Sequence, residues 1–175
     1  MTSSPERFCV TVIMRKSVLT HRWASERWEP VAVEPRPMSD AARVVRVPDT
    51  AGHEQWAFEG KVIELHRTEG EGYFLNLVAP EPKVFVMWRM LEPEAMTPGG
   101  PAAAPFLVSV SYNEAARLLD GGEQVDGVPM PVEIRRWVEP FMLAHYKPEP
   151  RRKVRRRDPL AASDDVAPQA QPPES

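Results

Sequence analysis

Cysteine is nearly missing. Cys9 is the only one in 175 residues, so no disulfide can close within the chain. That usage fits a reducing compartment. Net charge is scarce too: 22 Lys+Arg stand against 25 Asp+Glu, a formal charge of −3. So even a balance weighs against a dedicated DNA-binding domain and gives little attraction to anionic membranes. No apolar run approaches the roughly 18–20 residues that cross a bilayer. The apolar stretch Phe8 to Met14 is broken by Thr11, and Arg15 and Lys16 follow it. A secretory signal has its basic end first and a small-residue cleavage site after. The expected location is the cytoplasm.

The spacings that mark chemistry are missing as well. His21, His53, His66 and His145 are scattered, with no Cys-x-x-Cys or His-x-x-x-His pair, so no metal site is predicted. No Walker loop or Gly-x-Gly-x-x-Gly occurs. Gly70-Glu71-Gly72 is a partial match with an acid at its centre, and Gly99-Gly100 has no helix after it. Cys9 lies between Phe8 and Val10 inside an apolar strand, the setting of a structural thiol rather than a reactive one. Ser109 and Ser111 lack the Gly-x-Ser-x-Gly elbow. The pairs Glu69/Glu71 and Glu92/Glu94 fall in loops, where acids are solvated. No catalytic residue and no cofactor are assigned.

Proline is abundant, at 20 residues, and 42% of the chain is hydrophobic, enough for one core. Composition divides the chain in two. Residues 148–175 hold six basic and five acidic residues, leaving 16 and 20 to residues 1–147. All six cations of the tail (Arg151, Arg152, Lys153, Arg155, Arg156 and Arg157) fall within seven positions. With only Val154, Leu160 and Val166 as large apolar residues, the tail cannot bury enough surface to offset chain entropy. The reading is a single domain over 1–147 and a disordered basic, proline-rich tail over 148–175.

Strands dominate the body. Phe8, Val10, Val12 and Met14 alternate with Cys9, Thr11 and Ile13, which predicts a strand buried on both faces. Trp23 to Val33 is a second strand, with Pro30 marking an edge or a bulge. Ala42 to Val47 is a third. In the run Trp56 to Leu65 the apolar phase slips beside Gly60, the signature of a β-bulge. Glu69 to Gly72 reads as a turn and Tyr73, Leu75 and Leu77 as the returning strand, making residues 56–78 one hairpin. Val84 to Met90 and Phe106 to Val110 complete the strands. Ser111-Tyr112-Asn113-Glu114 then has capping-box spacing, and Asp120-Gly121-Gly122 ends the helix it opens. Pro131 starts a second helix with Ile134, Trp137, Val138, Phe141 and Met142 on one face. A kink or a junction is expected at Pro140, and the helix should end near Tyr146. The fold class is α+β: an antiparallel curved sheet or partial barrel of six to seven strands, followed by two C-terminal helices.

The remaining candidates are interaction residues. Trp23 and Trp28 are five apart, so on one regular strand they take opposite faces. One is core and the other exposed, unless both are core. An exposed tryptophan beside Arg27 suits a protein-contact anchor. Trp88-Arg89 likewise sets an aromatic and a cation on opposite faces, so Arg89 is either a contact residue or a solvated one. The Arg151–Arg157 run can attract nucleic acid, an acidic protein or an anionic surface, or serve only solubility.

The stretch Val108 to Pro150 carries a resemblance. It includes Val-Ser-Val-Ser-Tyr-Asn-Glu-Ala-Ala-Arg-Leu-Leu-Asp-Gly-Gly, Val-Pro-Met-Pro-Val-Glu-Ile, Trp137 and His-Tyr-Lys-Pro-Glu-Pro. With Trp28-Glu-Pro and Tyr-Phe-Leu-Asn-Leu at 73–77, it resembles a bacterial family of domains of unknown function over residues 6–157. The genes of that family lie near those for formate dehydrogenase and other molybdenum-cofactor enzymes. Some members carry a label for molybdopterin-guanine dinucleotide synthesis. That label implies a strand, a Gly-rich loop and a helix at the start of the fold, whereas the first glycine here is Gly52. The missing catalytic constellations, the Trp/Arg surface and the basic tail point to a non-enzymatic accessory protein, and the resemblance implies a client that is a molybdoenzyme subunit or a maturation factor. Contact is assigned to Trp23, Arg27, Trp28 and Arg89, with the basic tail adding attraction. One alternative is a nucleic-acid-associated regulator acting through the tail. A further one is an enzyme acting on a pterin or a nucleotide, which would need a polar pocket around His21, His53 or His66.

Overall fold

A computed structural model describes residues 6–19, 26–39, 41–49, 51–148 and 150. Trp23, His21 and the cations of Arg151–Arg157 lie outside the described residues.

Among the described residues, seven strands form two open antiparallel sheets. The first contains β1 (Glu6–Val18), β2 (Glu26–Pro35), β3 (Arg43–Val47) and β4 (Glu54–Leu65), in the order β2-β1-β4-β3. The second contains β5 (Lys83–Met90), β6 (Ala103–Ser109) and β7 (Gln124–Pro129), in the order β6-β5-β7. The helices are α1 (Gly70–Leu77), α2 (Tyr112–Asp120) and α3 (Val132–His145). The class is α+β and antiparallel as expected, but the single curved sheet or barrel is replaced by two separate sheets. The two C-terminal helices are not consecutive, because β7 runs between them, and α1 is an additional helix in mid-chain.

The chief correction is at Tyr73–Leu77, which is helix and not the return strand of a hairpin. Five alternating residues are too few to separate the two periods. The partners decide. Asn76 is buried, and its amide donates to the carbonyls of Lys83 and Val110 at 2.7 and 2.8 Å and accepts from Lys83 N–H at 2.9 Å. Tyr73, Asn76 and Leu77 then share the buried face at helical spacing.

The core joins both sheets and two helices. Val10, Val12, Met14, Phe58, Ile63 and Leu65 belong to one cluster with Val84, Val86, Trp88, Val108 and Val128. Tyr73 and Leu77 of α1, with Ile134, Val138, Phe141 and Met142 of α3, complete it. β1 is buried on both faces from Cys9 to Met14, as its double apolar pattern predicts. Pro140 sits inside α3 without ending it, so of the expected kink or junction no junction forms: Val138, Phe141 and Met142 seat the helix on the core to either side. The helix ends at Tyr146, whose N–H returns to Met142.

Two bulges stand where the sequence placed them. Val10 faces Lys61 and Val12 faces Phe58, so β4 carries an extra residue beside Gly60. Pro30 lies in edge strand β2 next to a second register shift, where Ile13 faces Ala32 and Met14 faces Pro30. Gly60 also has φ +81°, and a Cβ there would lie 2.6 Å from the carbonyl oxygen of Ala41. The link from β2 to β3 runs between opposite edges of the sheet and crosses it at this glycine. Glu59 pins the crossing, with Arg36 Nη1 at 2.7 Å and Arg43 Nε at 3.5 Å.

Candidate partner-binding cleft

The expected contact residues separate in the structure. Trp28 is 5% exposed and belongs to the core, so it is no surface anchor. Its strand face turns inward with Pro30, and Lys16 Nζ stands 5.9 Å from the ring centroid. Arg27 is exposed, with Nη2 at 3.4 Å from Glu29, which also accepts from Arg15 at 3.0 Å. Arg89 is exposed opposite buried Trp88, but it is not simply solvated. Both arms of its guanidinium bind Glu123, and its charged carbon lies 5.1 Å from the centroid of Phe106. Arg27 and Arg89 stand on different sheets. The expected contributions of Trp23 and of Arg151, Arg152, Lys153, Arg155, Arg156 and Arg157 fall outside the described residues.

Phe106 is the residue that sequence reading missed. Met87 faces Leu107 and Trp88 faces Pro105, so Phe106 is the extra residue of a bulge in edge strand β6. A bulge re-aims side chains, and this one leaves Phe106 49% exposed while its neighbours Pro105 and Val108 stay buried. The guanidinium of Arg89 settles on the ring and is itself fixed by Glu123. The available signal was Pro105, since proline inside a strand marks an edge or a bulge.

Beside Phe106 lies a cleft of about 220 Å³, lined by Lys61, Val62, Glu64 and His66 from the β4 side, Phe106 to Val108 of β6, and Glu114 of α2. Beyond the Gly60 bulge, Lys61 falls on the same strand face as buried Ile63 and Leu65. Its aliphatic stem is therefore covered, and burial holds its ammonium below the ordinary lysine range. A charged residue in a core phase was legible in the sequence and went unused.

The walls are tied to the interior. Ser111 caps α2, accepting from Glu114 N–H at 3.1 Å, and its hydroxyl donates to Glu69 at 2.5 Å. Half of the expected capping box is present. The Glu114 carboxylate accepts from the Ser109 hydroxyl instead of reaching back, and Ser111 N–H donates to Ser109 Oγ. Glu69 also holds Arg117. Below His66, its backbone N–H donates to the Tyr73 hydroxyl at 2.8 Å; burial pushes that phenol up to about 12, so it stays neutral.

A second hollow, of about 420 Å³, is lined by Lys16, Arg46, His53 and Glu54. Two of its charges, Lys16 and Glu54, pair with each other, and Arg46 lies 6.0 Å from the Trp56 ring centroid. Lys16 lies 2.7 Å from Glu54 and 3.4 Å from Glu26, and the Trp56 indole donates to Glu54 at 2.8 Å. The hydrogen bond with Glu54 raises the lysine, and the same bond is the main cause that lowers the carboxyl. His66 and His53 thus line different hollows. Among the described residues no group of three His, Cys, Asp or Glu is placed to hold a metal ion, and no helix is long and apolar enough to cross a membrane.

No curated protein and no solved structure matches the chain. The family model described as Protein of unknown function (DUF3305) matches residues 9–155, the whole span of the two sheets and three helices apart from the first residues of β1. The chain therefore belongs to the DUF3305 family.

Proposed function

We propose that this protein is a non-enzymatic cytoplasmic accessory protein that binds a protein client through the Phe106 rim and the cleft beside it. The observation that carries the reading is the preparation of that rim. A bulge brings an aromatic ring out of an edge strand, and an Arg89–Glu123 pair holds a guanidinium on it. Aromatic rings and arginines in fixed geometry are the residues that anchor protein interfaces. The client class comes from the resemblance noted above: assembly or regulation of a molybdenum-dependent formate dehydrogenase.

The test is recovery of the tagged protein from its own host, with mass spectrometry of what accompanies it. A formate dehydrogenase subunit or maturation factor should come with the native protein and be lost with Phe106→Glu, whose exposed site leaves folding intact. Recovery unchanged by Phe106→Glu would remove this surface from the function. Recovery of nucleic acid alone, released by salt, would move the function to the Arg151–Arg157 run.

A further inference from the structure

Beyond the client-binding reading, we infer that the cleft beside Phe106 is a site for a small zwitterion, a free α-amino acid with an apolar side chain, whose carboxylate meets Lys61 and whose ammonium meets Glu114.

The charges decide the class of ligand. Glu64 pairs with Arg7 at 3.3 Å and lies 3.9 Å from His66 Nε2, so both of these exposed side chains are already engaged. Two groups remain, one of each sign. Lys61 has no ion-pair partner among the described residues, and burial lowers its proton affinity with no carboxylate to offset it. Glu114 is met by the neutral Ser109 hydroxyl and by no cation among the described residues. Its charge reaches the interior, where it helps to hold the Tyr73 phenol neutral. Lys61 stands on the β4 wall and Glu114 on the α2 wall, and they form no ion pair with each other. A carboxylate alone would answer Lys61 and be repelled by Glu114, and an amine alone would meet the reverse. A ligand carrying both charges answers both walls at once.

Size and lining narrow the ligand further. About 220 Å³ is less than the roughly 300–1,000 Å³ of pockets that enclose drug-sized ligands, which suits an amino acid rather than a nucleotide or a pterin. β4 beyond Gly60 and β6 form the two sides without pairing with each other, so the space is a seam between the sheets and not an edge offered to a strand. Val62, Phe106 and Leu107 supply apolar surface for the side chain of the ligand.

The experiment titrates the full chain with valine, leucine, isoleucine, methionine and phenylalanine by calorimetry. At least one should bind with a Kd of about 1 mM or tighter. Blocking either charge of that ligand, as its N-acetyl derivative or as its amide, should weaken it by about tenfold or more. Lys61→Met, which keeps the covered stem, and Glu114→Gln, which keeps an acceptor for Ser109, should each do the same, and Lys61→Arg should retain most of the binding. Thermal melting of each variant separates lost binding from lost fold. The blocked ligands are measured on the native chain, so the test stands even where a variant is unstable. No binding by any of the five, a blocked form that binds as tightly as its parent, or affinity unchanged in folded Lys61→Met or Glu114→Gln would each overturn this inference. Client recovery sensitive to Phe106→Glu would survive any of those results, so the two readings fail separately.

Discussion

Gly72 gives the sharpest test of how α1 is seated. A Cβ at this position would stand 2.0 Å from Ser111 Oγ, 3.1 Å from Ser111 Cβ and 3.2 Å from the backbone nitrogen of Asn113. Ser111 cannot simply turn away. Its hydroxyl accepts from Glu114 N–H and donates to Glu69, so rotation gives up a helix cap, about 0.5–2 kcal/mol, and a bond to a charged group, about 1.5–3 kcal/mol. Moving α1 outward instead strains the contacts that Asn76 makes to Lys83 and Val110. Against either path stands the better helix propensity of alanine, about 1 kcal/mol. The expected net loss for Gly72→Ala is about 2 kcal/mol, a fall in melting temperature of roughly 4–8 °C at this chain length. Urea unfolding followed by tryptophan fluorescence measures it. Ser111→Gly removes both close atoms, so the double variant should be more stable than the two single losses predict, by about 1 kcal/mol or more. A Gly72→Ala midpoint equal to or above that of the native chain would refute the reasoning, because propensity alone would then decide and α1 would stand clear of Ser111.

Two further outcomes follow from polar groups with fixed partners. Asn76→Ala deletes three hydrogen bonds and leaves a buried N–H and two carbonyls without that partner, so it should cost about 3 kcal/mol or more in urea unfolding. A loss under about 1 kcal/mol would mean that water enters the site at little cost. Glu54 has a folded-state pKa lowered by Lys16 and Trp56. Its contribution is complete above the ordinary carboxyl value of 4.5 and disappears as pH falls through the lower folded value, so Glu54→Gln should flatten the acid limb of a stability–pH curve. An acid limb of unchanged slope would show that the pair adds nothing.

What the sequence disclosed depended on how local the deciding contact was. The bulges at Gly60 and Pro30, the doubly buried β1 and the Ser111 cap all follow from residues within a few positions of one another. The helical state of Tyr73–Leu77 is set by Asn76 reaching Lys83 of β5 and Val110, which follows β6 and lies 34 residues away. β7 escaped notice because Gly127 and two charged or amide residues interrupt its pattern, while its pairing with β5 supplies the order. At the site, Arg89 follows from strand alternation beside Trp88. Phe106 required knowing that β6 is an edge and gains an extra residue, and Lys61 required knowing which side of the Gly60 bulge faces the core.

The crossing at Gly60 also bears on how the first sheet assembles. β1–β2 and β3–β4 are each hairpins between neighbouring segments, and the sheet forms when their inner strands, β1 and β4, pair. The link between Pro35 and Arg43 keeps the two hairpins on a short leash, so they meet at high effective concentration rather than by a search through the whole chain. The same link lies over the sheet once they have met, and the bare backbone of Gly60 lets it settle.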